Sequence, residues 1–245
     1  MEETDSADSP AGATRLPTRK FAAMAVHLLT ASGAVFGLFA LLEIQRENLA
    51  LAMLLMLASL TIDSIDGLMA RRLAVEEFAP QIDGRRLDDI VDYLNFVIVP
   101  CVFMWQAGSV LAPGWLAIPV LASAFGFSQK DAKTDDNFFL GFPSYWNVLA
   151  FYLWLLDFSP LTGTLWIVGL GIAVFVPYKY LYPSRLSNRR LRLFTSYSGL
   201  LWALVIGWAA FNPELSAKYH VVELSLAYPA LYLGLSFKLG GLHRG

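Results

Sequence analysis

Long apolar runs, interrupted by proline, glycine and charge, set the pattern of this chain. A helix needs about 20 apolar residues to cross the hydrocarbon of a bilayer. On that ruler eight segments stand out, at 21–44, 49–70, 89–110, 113–128, 143–158, 161–182, 192–211 and 220–238. The fourth and fifth are short and suit tilted, re-entrant or half-buried helices. Pro113-Gly114, Ser159-Pro160, Pro183 and Asn212-Pro213 mark the joints, where a helix interior would not tolerate them. The pattern predicts an all-α fold, a polytopic membrane helical bundle of about eight transmembrane helices. Residues 1–20 read as a disordered or interfacial N-terminal segment, and 21–245 as a single transmembrane domain. The acids of the opening MEETDSADSPAGATRLPTRK precede the apolar run from Phe21, which is long enough to stay as a helix. A cleaved signal peptide is therefore not expected.

Composition sharpens this picture. Hydrophobic residues make up 56% of the chain and charged ones only 16%, where a soluble domain carries about 25% charged. The net charge is −2 and the basic residues are scattered. No face could track nucleic-acid phosphates, so no such partner is expected. Cys101 is the single cysteine and reads as a small buried hydrophobe. The basic residues orient the bundle. With the N-terminus inside, Arg15, Arg19 and Lys20 are cytoplasmic, as are Arg71, Arg72, Arg85, Arg86, Lys130 and Lys133. Arg185, Arg189, Arg190, Arg192, Lys238 and Arg244 follow the same rule, and only Arg46 and Lys218 fall outside. That asymmetry supports an even number of spans with both termini cytoplasmic.

Between the second and third apolar runs lies DSIDGLMARRLAVEEFAPQIDGRRLDDIVD, residues 63–92. Acids in such surroundings need a cation, a partner or water. Asp63 and Asp66 are three apart, Asp88 and Asp92 four apart, so on helices each pair shares a face; Asp89 points off that face. Two such helices would gather four carboxylates, a donor set suited to hard ions such as Mg²⁺ or Mn²⁺. Two ions about 4 Å apart would clamp a diphosphate. Gly67 and Gly84 allow close approach, Ala70 continues the small face, and Arg71 offers a planar fork to a phosphate oxygen. In the plainer alternative, Arg71, Arg72, Arg85 and Arg86 simply pair with these acids in a loop.

Asp63-x-x-Asp66-Gly67-x-x-Ala70-Arg71 followed by Gly84-x-x-x-Asp88-x-x-x-Asp92 resembles the signature of the CDP-alcohol phosphatidyltransferase family. The resemblance implies a helical membrane enzyme whose Asp63, Asp66 and Asp88 bind a two-metal centre of Mn²⁺ or Mg²⁺. Asp92 would stand beside it, touching metal and acting as the general base. Gly67, Ala70, Arg71 and Gly84 would shape the CDP and diphosphate pocket. The gap of twelve residues between Arg71 and Gly84 is longer than in most of the family. In this the chain is similar to the bacterial phosphatidylcholine synthases, as it is in HLLTASGA (27–34), LDDIVDYLNFVIVP (87–100) and FFLGFPSYWN (138–147). That branch implies CDP-diacylglycerol and choline as substrates, membrane lipids as surroundings, a homodimer, and a bacterial inner membrane with the site facing the cytoplasm.

A quaternary ammonium favours aromatic faces. Tyr145 and Trp146 are therefore choline candidates, with Phe138, Phe139, Phe142 and the acids Asp135 and Asp136 nearby, as is Tyr93 beside Asp92. Tyr and Trp also crowd membrane interfaces for other reasons. His27 and Thr30, one turn apart on the first helix, could touch a nucleotide or lipid phosphate, or form a satisfied polar pair between helices. No intramembrane cation other than Arg71 is expected near the acids, which leans towards an acceptor without its own phosphate. The rival readings are an acceptor such as serine, inositol or glycerol phosphate, and a cation-coupled transporter.

Overall fold

The computed structural model describes residues 15–130, 132–134 and 136–242; Asp135 and Arg244 lie outside that range. Two long helices organise it. Helix α1 spans Arg15–Gln45 and α2 spans Leu49–Arg72. The tight turn at 46–48 is closed by Asn48, whose side chain accepts from Leu51 N–H at the start of α2. They pack more extensively on each other than any other pair of helices. The N-terminal end of α1 thus meets the C-terminal end of α2. There the Arg19 guanidinium lies 5.2 Å from the Phe78 ring centre, on the short helix α3 (Val75–Phe78).

Helix α4 (Gly84–Tyr93) is capped by Asp83, which accepts from Arg86 N–H at 3.0 Å. It passes through one π-helical turn, Leu94–Ile98, into α5 (Val99–Gln106). Pro100 accounts for the widened turn: it has no N–H for the carbonyl four residues back, and its ring crowds that carbonyl. Then follow α6 (Ala117–Ser128), strand β1 (Phe138–Leu140), α7 (Trp146–Leu155), α8 (Pro160–Ala173) and β2 (Tyr178–Leu181). The chain closes with α9 (Arg189–Phe211), α10 (Pro213–Lys218), α11 (Val221–Ser225), α12 (Ala227–Leu239) and β3 (Gly241–Leu242).

The core lies between α2, α5, α7 and α9, where Met53, Met56, Phe103, Met104, Phe151 and Ile206 are almost wholly buried. Outside it Phe21, Leu28, Phe125, Leu165, Leu201 and Leu224 all stand exposed. Apolar surface of this extent suits lipid contact rather than water. Three helices, Pro17–Gln45, Leu49–Arg72 and Arg189–Phe211, are long and apolar enough to cross a membrane. Shorter apolar helices accompany them. The protein is a helical membrane protein.

Two expectations need correcting. The fold is not wholly α: β1, β2 and β3 form an antiparallel sheet in that order, with Phe139 opposite Tyr180 and Lys179 opposite Gly241. Segments leaving three different helices meet at one end of the bundle, and pairing satisfies backbone groups that no helix serves. The segment 161–182 is helical only to Ala173, because Pro177 forces its predecessor into extended backbone. Arg19 and Lys20 sit within α1, which begins at Arg15.

Candidate active site

Helix periodicity brings the acids together. Asp63 and Asp66 lie in the last turns of α2, Asp88 and Asp92 on successive turns of α4. Carboxylate oxygens of Asp63, Asp88 and Asp92 all lie within 4.8 Å of one another; Asp89 is not among them. Asp66 is buried and lines the same pocket, together with Thr30 and Gly33 of α1. The close packing of α1 on α4 depends on Gly33: a methyl group there would stand 2.8 Å from Val91 Cγ1. Just beyond, buried Asn95 in the π-helical turn donates to Gly33 O and Val91 O, both at 3.0 Å. The bond to Gly33 O fastens the turn after α4 to α1 close to the acids, while the bond to Val91 O stays within its own helix.

Among the described residues, no arginine makes an ion pair with these four acids; Arg86 faces Asp83 instead, at 3.8 Å. The loop-pairing alternative therefore falls. The cation that does reach them is Lys133, its Nζ 3.9 Å from Asp88 Oδ2. It comes from the loop before β1, so it reaches the acids from outside the helices, a case the expectation of no further intramembrane cation did not cover. The sequence read Lys133 only as a topology anchor, because nothing local reveals that its loop folds back over α4. Arg71 is exposed. It lies within electrostatic range of Asp66, Arg185, Arg192 and Tyr182.

The other predicted residues divide. Gly67 lies against Arg71, whose Nη1 would be 3.4 Å from a Cβ there, and Ala70 packs on the cluster of Ala23, Val26, Val75 and Ala79. Gly84 faces His27: a methyl at Gly84 would stand 3.0 Å from His27 Cε1. His27 is buried, and its Nε2 has no hydrogen-bond partner among the described residues. Thr30 donates to Val26 O at 3.3 Å. Trp146 is fully buried and donates its indole N–H to Ser123 at 2.8 Å. Tyr93 donates to Val120 O at 2.8 Å. The Trp146 ring is thus enclosed, while the Tyr93 ring is half-buried with Phe127 edge-on, ring centres 5.9 Å apart. Tyr145 lies within electrostatic range of Asp63 and packs edge-on against Tyr232, ring centres 5.7 Å apart. Asp136 forms an ion pair with Lys179 at 2.7 Å.

The sequence profile of the CDP-alcohol phosphatidyltransferases matches residues 22–176, a segment that contains all four acids. The chain belongs to the CDP-alcohol phosphatidyltransferase family. It is 40% identical over 227 residues to a phosphatidylcholine synthase of Legionella pneumophila, covering 89% of this chain and 88% of that protein. A phosphatidylcholine synthase of Borreliella burgdorferi is 39% identical over 86% of this chain and 91% of its own length. One from Bradyrhizobium diazoefficiens is 40% identical, over 77% and 71%. Membership makes the protein a phosphatidyltransferase of a metal-dependent family, and a transporter reading lapses. Convergent, oxygen-only donors fit the hard divalent ions such a family needs. The family match stops at residue 176, so Lys179, Tyr182 and Arg185 lie beyond it.

Proposed function

We propose that the protein is a phosphatidylcholine synthase, transferring the phosphatidyl group of CDP-diacylglycerol to choline with release of CMP. The convergence of Asp63, Asp88 and Asp92 within 4.8 Å carries the chemistry, and the similarity to several phosphatidylcholine synthases supports the acceptor. Asp63, Asp66, Asp88 and Asp92 would hold two Mn²⁺ or Mg²⁺ ions, with Gly67, Ala70, Arg71 and Gly84 shaping the diphosphate pocket. Bound there, the ions would supply charge neutralisation for the diphosphate. Asp92 takes the proton of the choline hydroxyl. The hydroxyl oxygen forms a bond to the phosphorus that bears diacylglycerol, and the bond from that phosphorus to CMP breaks. Thr30 lines the pocket from α1, and His27, one turn earlier, carries an unpartnered Nε2 for a nucleotide or phosphate oxygen. Tyr145 offers a ring face to the choline ammonium.

The charge asymmetry of the loops supports eight crossings with both termini and the site on the cytoplasmic side of a bacterial inner membrane. There CDP-diacylglycerol reaches the acids from the lipid and choline from the water. A homodimer follows from the family resemblance. A second acceptor class has its own support: Lys133, Arg71 and Arg185 lie within electrostatic range of the acids and would suit a phosphate-bearing alcohol such as glycerol phosphate. The deciding assay incubates purified protein with CDP-diacylglycerol, Mn²⁺ and a panel of labelled alcohols. Phosphatidylcholine and CMP should appear with choline; product with serine, inositol or glycerol phosphate instead would replace the acceptor while keeping the chemistry.

A further inference from the structure

In the transfer to choline Lys133, the cation paired with Asp88, has no task. Its ammonium lies 3.9 Å from Asp88 and 5.8 Å from the centre of the Tyr182 ring. All four acids are within its electrostatic range. Its place is fixed by backbone bonds rather than by the flexible side chain. Lys133 forms an antiparallel bridge with Phe139. On either side, Leu140 N–H donates to Ala132 O at 3.0 Å and Thr134 N–H donates to Phe138 O at 2.9 Å. Tyr182 in turn stacks on Phe139 with ring centres 4.4 Å apart, and the Arg185 guanidinium lies 5.3 Å from the Tyr182 ring centre. The sheet at the end of the bundle thus holds a cation over the acids.

An ion pair of that length is a Coulomb contact without a hydrogen bond, so the ammonium can change partner with a small movement. Next to Asp88 it repels any divalent ion on the same carboxylates. A nucleoside diphosphate reverses the sign of its effect, because the phosphate oxygens are strong acceptors for an ammonium. We propose that Lys133 couples the two binding steps. It opposes divalent-cation binding at the acids and becomes a ligand of the donor's diphosphate once that group enters. Metal and donor then bind cooperatively, and by linkage each must raise the affinity of the other equally. The inference rests on the phosphatidyl-transfer reading.

The test is Mn²⁺ binding to the full-length protein in lipid nanodiscs, followed by the paramagnetic resonance signal of free Mn²⁺, with and without CDP as the probe. In the wild type, CDP should tighten Mn²⁺ binding. Lys133→Gln should bind Mn²⁺ about tenfold more tightly without CDP, since a like charge near the site is gone. The same variant should bind CDP about tenfold more weakly in the presence of Mn²⁺, having lost a charge-assisted bond. Lys133→Arg should resemble the wild type. Weaker binding of both ligands by Lys133→Gln, or unchanged Mn²⁺ affinity, would overturn the proposal. If Lys133→Gln does not fold, the wild type answers through acylation of Lys133 read by mass spectrometry. Labelling should accelerate with Mn²⁺ alone and slow with Mn²⁺ plus CDP; equal rates in all conditions refute the coupling. Failure of the wild type to bind Mn²⁺ would instead remove the metal-dependent reading and the inference with it.

Discussion

Asp92 stands one turn beyond Asp88 on the same helix and is assigned both metal contact and proton removal, so its substitution tests the base role when Mn²⁺ affinity is followed beside turnover. Asp92→Asn keeps the shape of the side chain and loses its basicity. We expect phosphatidylcholine formation to fall by about 10²–10⁴-fold, the usual worth of a positioned base, with an unchanged elution profile. More than a tenth of wild-type turnover in that variant would exclude the base role. Tyr145 and Trp146 are adjacent in sequence and differ in surroundings. Tyr145→Ala should raise the KM for choline about five- to thirtyfold, for loss of a desolvated cation–π contact. Trp146→Phe removes only the bond to Ser123 and should change stability while leaving that KM alone. Equal KM values for Tyr145→Ala and the wild type would take the ring out of the choline site.

At the scale of elements, catalysis depends on how closely three helices approach beneath the acids. Gly33→Ala places a methyl against Val91, a β-branched side chain on packed backbone with little freedom to turn away. We expect a loss of about 1–3 kcal/mol in stability, and weaker Mn²⁺ binding, because α4 must move off α1 and carry Asp88 and Asp92 with it. Asn95→Ala removes both side-chain bonds to Gly33 O and Val91 O. Only the bond to Gly33 O joins two helices; such a buried bond between membrane helices is worth about 1 kcal/mol, so a loss of that order should appear in unfolding from detergent. Unaltered Mn²⁺ affinity in both variants would show that the acids are positioned independently of this packing.

For the whole molecule, four carboxylates at one end of the bundle are a source of repulsion that bound ions relieve. Mn²⁺ at about 100 times its dissociation constant should stabilise the fold by about 2.7 kcal/mol per site, seen as a rise in melting temperature that a chelator reverses. Asp63→Asn and Asp88→Asn should each abolish most of that rise, and activity should vanish on chelation and return with Mn²⁺. A melting temperature indifferent to Mn²⁺ would argue against the acids as a metal centre. The sheet that caps this end of the bundle unites β1, β2 after α8 and β3 after α12, so the site depends on chain segments far apart in sequence.

The long helices and the acid pairs were legible in the sequence, because both rest on local periodicity. Apolar runs of bilayer length specify α1, α2 and α9, and the spacings Asp63-x-x-Asp66 and Asp88-x-x-x-Asp92 specify shared helix faces whatever lies around them. Pro177 could have signalled the early end of α8, and Pro100 the widened turn after α4. Non-local contacts carry no such mark. That Lys133 faces Asp88, that Trp146 turns to Ser123 while its neighbour Tyr145 reaches towards Asp63, and that three helix-leaving segments pair as strands are decided by which loops meet at one end of the bundle. The sequence by itself determined which residues can do the chemistry; the tertiary structure decided which charges surround them, since electrostatic neighbours are set by distance in space and not along the chain.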